Sequence, residues 1–348
     1  SKLLNRKVSV MKKSLTGTLI IMLIISLSCK EKELTFSDFN GFTQGTTYSI
    51  TYENPGNISP EELQFKVETI LYRFDMSLSL YQDSSIVTRI NRNENAVPDS
   101  FFIDVFSQSK KIWELTGGAF DITIGPLVKA WGFGPDEVRG FKESARDSLL
   151  ALVGMEKVSL KDGIIIKEDP RVSLDFNAIA QGYSVDVIAR FFDGLGIKRY
   201  LVEIGGEVRV KGDRGGRSWR IGIDRPEDNN MIAGQELQAI ISLKDRSLAT
   251  SGNYRKFYVE NGIKYSHTID PKTGYPAKNQ LLSATILAND CATADGVATA
   301  CMVMGKDKTI DFLSKHPEFE GFLVYSDDSG NFRTWMSESL KKNISESN

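Results

Sequence analysis

Apolar residues recur at helical spacing in three stretches of the chain. The first follows Ser59-Pro60-Glu61-Glu62, which offers an N-cap, a first-turn proline and a capping-box glutamate. Its apolar positions are Leu63, Val67, Ile70 and Phe74. A second helix is predicted from about Phe101 to Gly117-Gly118, and a third from about Asn177 to residues 194–196.

Pairs of short apolar runs separated by turn residues predict four β-hairpins. They span residues 158–166 with a turn at Asp162-Gly163, 200–211 around Gly205-Gly206, 257–268 with a turn at Asn261-Gly262, and 322–335 with a turn at residues 327–330. Hairpins with interspersed helices predict an α+β fold with antiparallel sheets. A doubly wound parallel sheet would instead alternate strands and helices regularly.

Composition narrows the class of protein. A chain of 348 residues with 41% hydrophobic residues and a net charge of -2 has the make-up of a globular protein with a large core. Without a Lys/Arg-rich stripe, no nucleic-acid partner is expected. The only histidines are His267 and His316, which excludes a multi-histidine metal centre. Neither a phosphate-loop motif nor a G-x-S-x-G nucleophile elbow occurs.

The start of the chain has the pattern of an export signal. Two lysines follow Met11, an apolar run covers residues 19–25, and Ser26-Leu27-Ser28-Cys29 comes next. This junction resembles a bacterial lipobox, in which Cys29 is lipidated, although Ser26 stands at the third position before the cysteine, where leucine is more usual. The alternatives are a plain signal peptide or a membrane anchor with an incidental cysteine.

The sequence therefore predicts five segments. Residues 1–10 lie upstream of Met11, 11–28 form the signal peptide, 29–37 are the lipidated cysteine and a polar tether, 38–336 form the main folded domain, and 337–348 are a frayed polar tail.

Candidate metal ligands lie in the stretch from Cys291 to Thr299. Asp295 and Thr299 are four residues apart, so in a helix they lie one turn apart on one face. A carboxylate and a hydroxyl placed in this way suit a hard cation such as Mg²⁺, which favours a phosphate-bearing ligand. The alternative is a helix in which both side chains are solvated or bonded to the backbone.

Asp121 and Asp175 each lie among apolar residues at an element boundary. A buried carboxylate requires hydrogen-bond donors or a charge partner, so each is either a site residue or an N-cap or turn residue. Phe120, Trp131 and Tyr81 are aromatic residues near glycines. Their rings either stack on a flat ring of a ligand or belong to the hydrophobic core. His267 is the better catalytic candidate of the two histidines, with a structural role as the alternative.

Taken in order, several segments resemble the FAD:protein FMN transferase family, also called the ApbE family of thiamine-biosynthesis lipoproteins. They are Gly45-Thr46, residues 81–91, Gly117-Gly118-Ala119-Phe120-Asp121, residues 175–183, Glu203-Ile204-Gly205-Gly206, residues 267–271 and residues 294–299. The resemblance covers residues 42–305, and a lipobox upstream is also familiar in that family.

The resemblance implies an α+β fold with antiparallel sheets and helices in two lobes around a flavin cleft. It implies FAD as substrate, Mg²⁺ at the pyrophosphate, transfer of FMN to a Thr or Ser hydroxyl of an exported acceptor protein, and release of AMP. Redox-pump subunits and exported flavin reductases are the acceptors that the family suggests. The implied location is the bacterial cell envelope, with a lipid anchor in the membrane and the domain facing the periplasm.

By position, the resemblance assigns the metal ligands to the carbonyl of Ala178 and to Asp295 and Thr299. The implied flavin contacts are Gln44, Tyr81, Ala119, Phe120, Asp121, Asp175, Gln181 and Ile269. His267 occupies the place of the base for the acceptor hydroxyl. This chain departs from the family at Gln44, where methionine is usual, and at Gln181, where lysine or glutamate is common.

Two other functions are compatible with the same residues. A periplasmic FAD pyrophosphatase would use water as acceptor and give FMN and AMP. A non-catalytic lipoprotein would bind FAD without turnover. Release of AMP without a labelled acceptor would indicate the pyrophosphatase. Tight FAD binding without AMP release would indicate the non-catalytic lipoprotein.

Overall fold

A computed structural model of the protein describes residues 34–135, 141–227, 235–253, 257–260 and 263–346. The strands are β1 (Phe36–Thr43), β2 (Thr46–Glu53), β3 (Val158–Lys161), β4 (Ile164–Lys167), β5 (Tyr200–Ile204), β6 (Glu207–Lys211), β7 (Trp219–Asp224), β8 (Leu237–Leu243), β9 (Ser247–Gly252), β10 (Phe257–Glu260), β11 (Ile263–Ser266), β12 (Leu281–Ala288), β13 (Glu320–Ser326), β14 (Phe332–Met336) and β15 (Ile344–Glu346).

The α-helices are α1 (Pro60–Leu78), α2 (Ile86–Asn91), α3 (Ser100–Leu115), α4 (Gly125–Ala130), α5 (Arg146–Leu150), α6 (Ala180–Gly194), α7 (Cys291–Met304) and α8 (Lys306–Lys315). Helix α1 confirms the first predicted helix, since Ser59 Oγ accepts a hydrogen bond from the N–H of Glu62 at 3.1 Å. Helix α3 confirms the second.

Strands form one large sheet and three small ones. The large sheet has eight strands in the order β1-β2-β5-β6-β9-β12-β13-β14, and the pairs from β2 to β14 are antiparallel. The strand pairings of the four predicted hairpins are confirmed as β3–β4, β5–β6, β10–β11 and β13–β14. The predicted turn of the third hairpin, Asn261-Gly262, lies outside the described residues. Mixed helices and antiparallel sheets confirm the predicted α+β class.

Helix α6 begins three residues later than the sequence predicts. Residues 177–179 form turns, and Ile179 at the N-cap has φ -148°, outside the helical region. The side chain of Asp175 accepts a hydrogen bond from the N–H of Asn177 at 2.8 Å, which stabilises the turn at the expense of helix.

Helix α7 occupies the centre of the domain. It packs against strands β9 and β12 and against helices α3 and α6. Its sequence is rich in alanine, with Gly296 in its middle, and a Cβ added at Gly296 would lie 2.8 Å from Cδ1 of Ile112. Small side chains therefore allow α7 to approach α3 closely, and its polar residues are held in a packed environment.

Residues 338–346 form secondary structure within the stretch 337–348, for which the sequence predicts a frayed polar tail. A 3₁₀-helix covers Glu338–Asn343, and β15 pairs with β8 in a sheet of order β15-β8-β7. Leu340 is fully buried, and Ile344, the other apolar residue of this stretch, pairs with Ile241 of β8. Burial of apolar surface and pairing with a strand edge therefore stabilise a stretch of mostly polar composition.

The chain divides into two units, Ser1–Phe36 and Ser37–Asn348. The predicted signal peptide at residues 11–28 and Cys29 lie outside the described residues. Within the part of the chain that the structure describes, no helix combines the length and apolar character needed to cross a bilayer.

Candidate active site

The N-terminus of α7 is held by two carboxylates. Asp290 is its N-cap and accepts a hydrogen bond from the N–H of Thr293 at 2.8 Å. Asp186, from α6, accepts from the N–H groups of Cys291 at 3.0 Å and Ala292 at 2.9 Å. Arg209 donates to the same Asp186 carboxylate at 2.6 Å. These contacts fix the start of α7 against α6 and satisfy backbone donors that the helix leaves unpaired.

Asp295 lies one turn further along α7 and is only 6% exposed. Its Oδ2 accepts a hydrogen bond from the N–H of Gly182 in α6 at 3.0 Å. Burial raises the pKa of Asp295 from 3.8 to about 7, while this hydrogen bond opposes the rise. A cation nearby would stabilise the ionised form of such a buried carboxylate.

Thr299 follows Asp295 by one turn on the same face of α7, as the sequence predicts. Its hydroxyl lies 3.3 Å from the hydroxyl of Ser251 on β9. Ser251 was not predicted as a site residue, because the contact joins positions 48 residues apart.

Ala178, the third predicted metal ligand, lies in the turns that precede α6. Its partly buried side chain packs against the main core. The described residues contain no group of three His, Cys, Asp or Glu side chains able to hold a metal ion. A cation site here would therefore consist of one carboxylate, one hydroxyl and a backbone carbonyl, the oxygen donors that Mg²⁺ prefers.

Asp121 and Asp175 lie close together, because the N–H of Asp175 donates to the carbonyl of Ile122 at 2.7 Å. The Asp121 carboxylate accepts from the N–H and hydroxyl of Thr123 at 2.8 and 2.6 Å and from the N–H of Met155 at 3.2 Å. Burial is the main cause that raises the pKa of Asp121. Asp121 thus caps the 3₁₀-helix Ile122–Ile124, and its contact with flavin stays a prediction.

Asn91 holds the segment that leads to Asp175. Its side-chain amide donates to the carbonyl of Leu174 at 2.9 Å, and its oxygen accepts from the N–H of Leu174 at 2.8 Å. This two-way contact mimics a strand partner and explains an asparagine in the segment of residues 81–91.

Gln44 lies at the tip of the β1–β2 hairpin with φ +51°, in the left-handed region. Its Oε1 is 3.5 Å from the hydroxyl of Ser184, and its Nε2 is buried without a hydrogen-bond partner among the described residues. The Gln181 side chain lies against Gly205, where an added Cβ would be 2.4 Å from Nε2 of Gln181. Both glutamines therefore line the region between α6 and neighbouring turns of the large sheet.

The predicted flavin contacts at residues 119–120 belong largely to the core. Ala119 is 6% exposed and Phe120 2% exposed. The phenyl ring of Phe120 is therefore enclosed by protein, in agreement with the core alternative for this aromatic residue. Tyr81, by contrast, is 65% exposed, so its ring is accessible.

His267 directly follows β11 and is partly exposed. Its ring is 6.5 Å from the ring of Phe133, in an edge-on arrangement. Ile269 forms a β-bridge with Pro276 and packs with Trp131. Asp270 then stabilises the turn, since it accepts from the N–H of Lys272 at 2.8 Å.

A cavity of about 910 Å³ opens beside this turn. Aromatic side chains line one part of it, and Val303, Met304 and Lys308 line another. Val303 is one turn beyond Thr299 on α7, but Asp295, Thr299 and His267 are not among the residues that line the cavity. Its aromatic residues are Trp131, Phe141 and Tyr275.

Known proteins share this architecture and sequence. A sequence model of the ApbE family matches residues 44–323. FAD:protein FMN transferase from Haemophilus influenzae is 35% identical over 346 residues, which cover 95% of this chain and 98% of that protein. Flavin transferase ApbE from Vibrio cholerae has a TM-score of 0.79 at 34% identity, covering 89% of this chain and 99% of that one. The apo form of flavinyl transferase ApbE from Pseudomonas stutzeri has a TM-score of 0.79 at 31% identity, covering 89% and 97% respectively.

The family match extends over most of the chain, and the relative from Haemophilus influenzae is similar along nearly its whole length. The solved structures share the mixed arrangement of helices and antiparallel sheets. The chain therefore belongs to the ApbE family.

Proposed function

We propose that this protein transfers FMN from FAD to the hydroxyl of a Thr or Ser in an exported acceptor protein, with release of AMP. The observation that carries the proposal is the buried Asp295 carboxylate, one turn from Thr299 and hydrogen-bonded to the start of α6. The named activity of the Haemophilus influenzae relative supports the same reaction.

The residues present fit a divalent cation. Asp295, Thr299 and the carbonyl of Ala178 offer oxygen donors of three kinds, and we assign Mg²⁺ to them. Burial raises the pKa of Asp295 to about 7, and a bound cation would favour its ionised form. When bound, Mg²⁺ stabilises the negative charge of the pyrophosphate oxygens.

Other features of the domain support FAD as the substrate. A cavity of about 910 Å³ near the C-terminal end of α7 is large enough for a dinucleotide and combines aromatic walls with Lys308. At the hairpin tip, the buried Nε2 of Gln44 is a donor that a polar ligand atom can satisfy. Tyr81 adds an exposed ring on which a planar group can stack.

In the proposed step, His267 takes the proton of the acceptor hydroxyl as its oxygen attacks the phosphorus of the FMN half. A new P–O bond to the acceptor forms, the P–O bond to the AMP phosphate breaks, and AMP leaves with the bridging oxygen. Positioning and charge stabilisation carry most of the rate in such reactions. General base catalysis by His267 contributes roughly 10²–10⁴-fold.

Incubation with FAD, Mg²⁺ and a candidate acceptor that carries a Thr tests the proposal by in-gel flavin fluorescence. The acceptor band is expected to fluoresce after denaturation, and a chelator or an acceptor with Thr→Val is expected to abolish the signal. Absence of fluorescence from every exported redox-pump subunit or flavin reductase tested contradicts the proposal.

We also propose that Cys29 carries a lipid that anchors the protein in the bacterial envelope, with the domain facing the periplasm. The basic start, the short apolar run and the Ser28-Cys29 junction support this placement. Palmitate labelling of the unmutated protein and its loss in Cys29→Ala are the expected results. Absence of label from the unmutated protein contradicts the anchor.

A further inference from the structure

Ser251 lies on β9 with its hydroxyl 3.3 Å from that of Thr299. We propose that Ser251 is a positioning residue, which orients the Thr299 hydroxyl so that its oxygen faces the divalent cation. This inference rests on the proposed function, because it takes Thr299 as a cation ligand.

Strand geometry directs Ser251 toward α7. Successive side chains of a strand point to opposite faces of the sheet. On β9, Ser251 contacts Thr299 of α7, while Thr250 points to the other face and shares a hydrogen bond of 2.8 Å with Thr285 on β12. Ser251 thus presents its hydroxyl to the helix that carries the proposed ligands, and it is the β9 hydroxyl that contacts Thr299.

The chemistry of a threonine in a helix explains why such a partner matters. Its hydroxyl is free to rotate and to bond a backbone carbonyl one turn earlier, which directs the oxygen toward the helix. When the oxygen lone pair of Thr299 serves a cation, its proton requires an acceptor elsewhere. The Ser251 oxygen, at 3.3 Å, is in place to accept it.

Binding of Mn²⁺ alone to the intact protein, followed by the electron paramagnetic resonance signal of free Mn²⁺, tests this role without turnover. Ser251→Ala is expected to weaken Mn²⁺ binding by roughly tenfold or more, as loss of a partner behind a ligand commonly does. In a Thr299→Val background, the same Ser251→Ala change is expected to have little further effect, because the two residues act as one unit.

Thr250→Val is the matched control, since it removes one hydroxyl hydrogen bond from the same strand on the opposite face. Its Mn²⁺ affinity is expected to equal that of the unmutated protein, and its thermal unfolding reports the cost of losing such a bond.

Unchanged Mn²⁺ affinity in Ser251→Ala, with Mg²⁺-dependent transfer intact, overturns the inference and leaves the proposed function standing. The inference is also overturned if Ser251→Ala lowers the Mn²⁺ affinity of the Thr299→Val variant as much as it lowers that of the unmutated protein. Failure of the unmutated protein to bind Mn²⁺ overturns it together with the proposed cation site.

Discussion

The N–H of Gly182 donates a hydrogen bond to Oδ2 of Asp295 at 3.0 Å, and this contact joins α6 to α7 at the proposed cation site. The two helices approach so closely that only glycine fits. A Cβ at position 182 would lie 2.4 Å from the carbonyl oxygen of Cys291 and 2.8 Å from Cβ of Asp295. The position of the buried carboxylate thus depends on the absence of a side chain at Gly182.

We expect Gly182→Ala to push α6 and α7 apart and to weaken both folding and Mg²⁺-dependent transfer. The added methyl would meet backbone, which shifts less readily than a flexible side chain, so a loss of roughly 1–3 kcal/mol in the free energy of unfolding is predicted. Chemical denaturation measures it. Gly194→Ala is the control on the same helix, because nothing lies within 4 Å of a Cβ there. Equal stability of the two variants would contradict the close approach.

Asp295→Asn is expected to reduce transfer by at least ~100-fold while the fold survives. The amide oxygen can still accept from Gly182, but the side chain no longer supplies the negative charge that a cation requires. AMP release from FAD across a range of Mg²⁺ concentrations, together with thermal unfolding, measures both effects. Thr299→Val is expected to be milder. Undiminished dependence of AMP release on Mg²⁺ in Asp295→Asn would show that the cation binds elsewhere.

Local signals in the sequence predict the elements that frame the site. Ser59 and Pro60 mark the start of α1, and Asp162-Gly163 marks a hairpin whose turn residues both have positive φ. The four-residue spacing of Asp295 and Thr299 likewise suffices to place them on one helix face, because it depends only on helical geometry.

Contacts between distant parts of the chain were not predictable in this way. Asp186 reaches residues more than 100 positions away, and Ser251 meets Thr299 only because β9 packs under α7. A faint signal for Ser251 exists, since strand alternation gives Thr250 and Ser251 opposite faces. No periodic pattern in the sequence marks Leu340, which is fully buried next to a strand of a small sheet.

Asp75 provides a test of the electrostatics away from the site. It lies in α1, and burial raises its pKa from 3.8 to about 6. The folded state binds this proton more tightly than the unfolded state. Protonation of Asp75 therefore contributes fully to the free energy of unfolding below about pH 4, and this contribution is lost as the pH rises through about 6. Asn at position 75 carries no charge at any pH, so we expect Asp75→Asn to be more stable than the unmutated protein by about 1 kcal/mol at pH 8 and equally stable near pH 4.

Thermal unfolding from pH 4 to pH 8 measures this difference. Asp307→Asn is the control, because the Asp307 side chain is 90% exposed and its ion pair with Lys306 is at the surface. An exposed ion pair contributes little to stability, so the unfolding temperature of this variant is expected to stay close to that of the unmutated protein. A constant difference between Asp75→Asn and the unmutated protein across the range would contradict the assigned shift.

His267→Asn separates a base from a structural histidine. The variant is expected to retain FAD affinity and thermal stability while it loses transfer by ~10²-fold or more, because only the proton acceptor is removed. Fluorescence titration with FAD and single-turnover transfer assays measure the two quantities. A parallel loss of stability and FAD affinity would assign the imidazole a structural role. Transfer at the normal rate in a stable variant would direct attention to Asp270.

The ratio of AMP released to flavin covalently attached tests the central claim most directly. FAD, Mg²⁺ and a Thr-bearing acceptor are incubated with the protein, AMP is quantified by chromatography, and attached flavin is quantified by mass spectrometry of the acceptor. A transferase gives one AMP for each flavin attached, and formation of both products stops when the acceptor is exhausted. Continued release of AMP and FMN without a labelled acceptor would contradict the account and identify the activity as FAD pyrophosphatase.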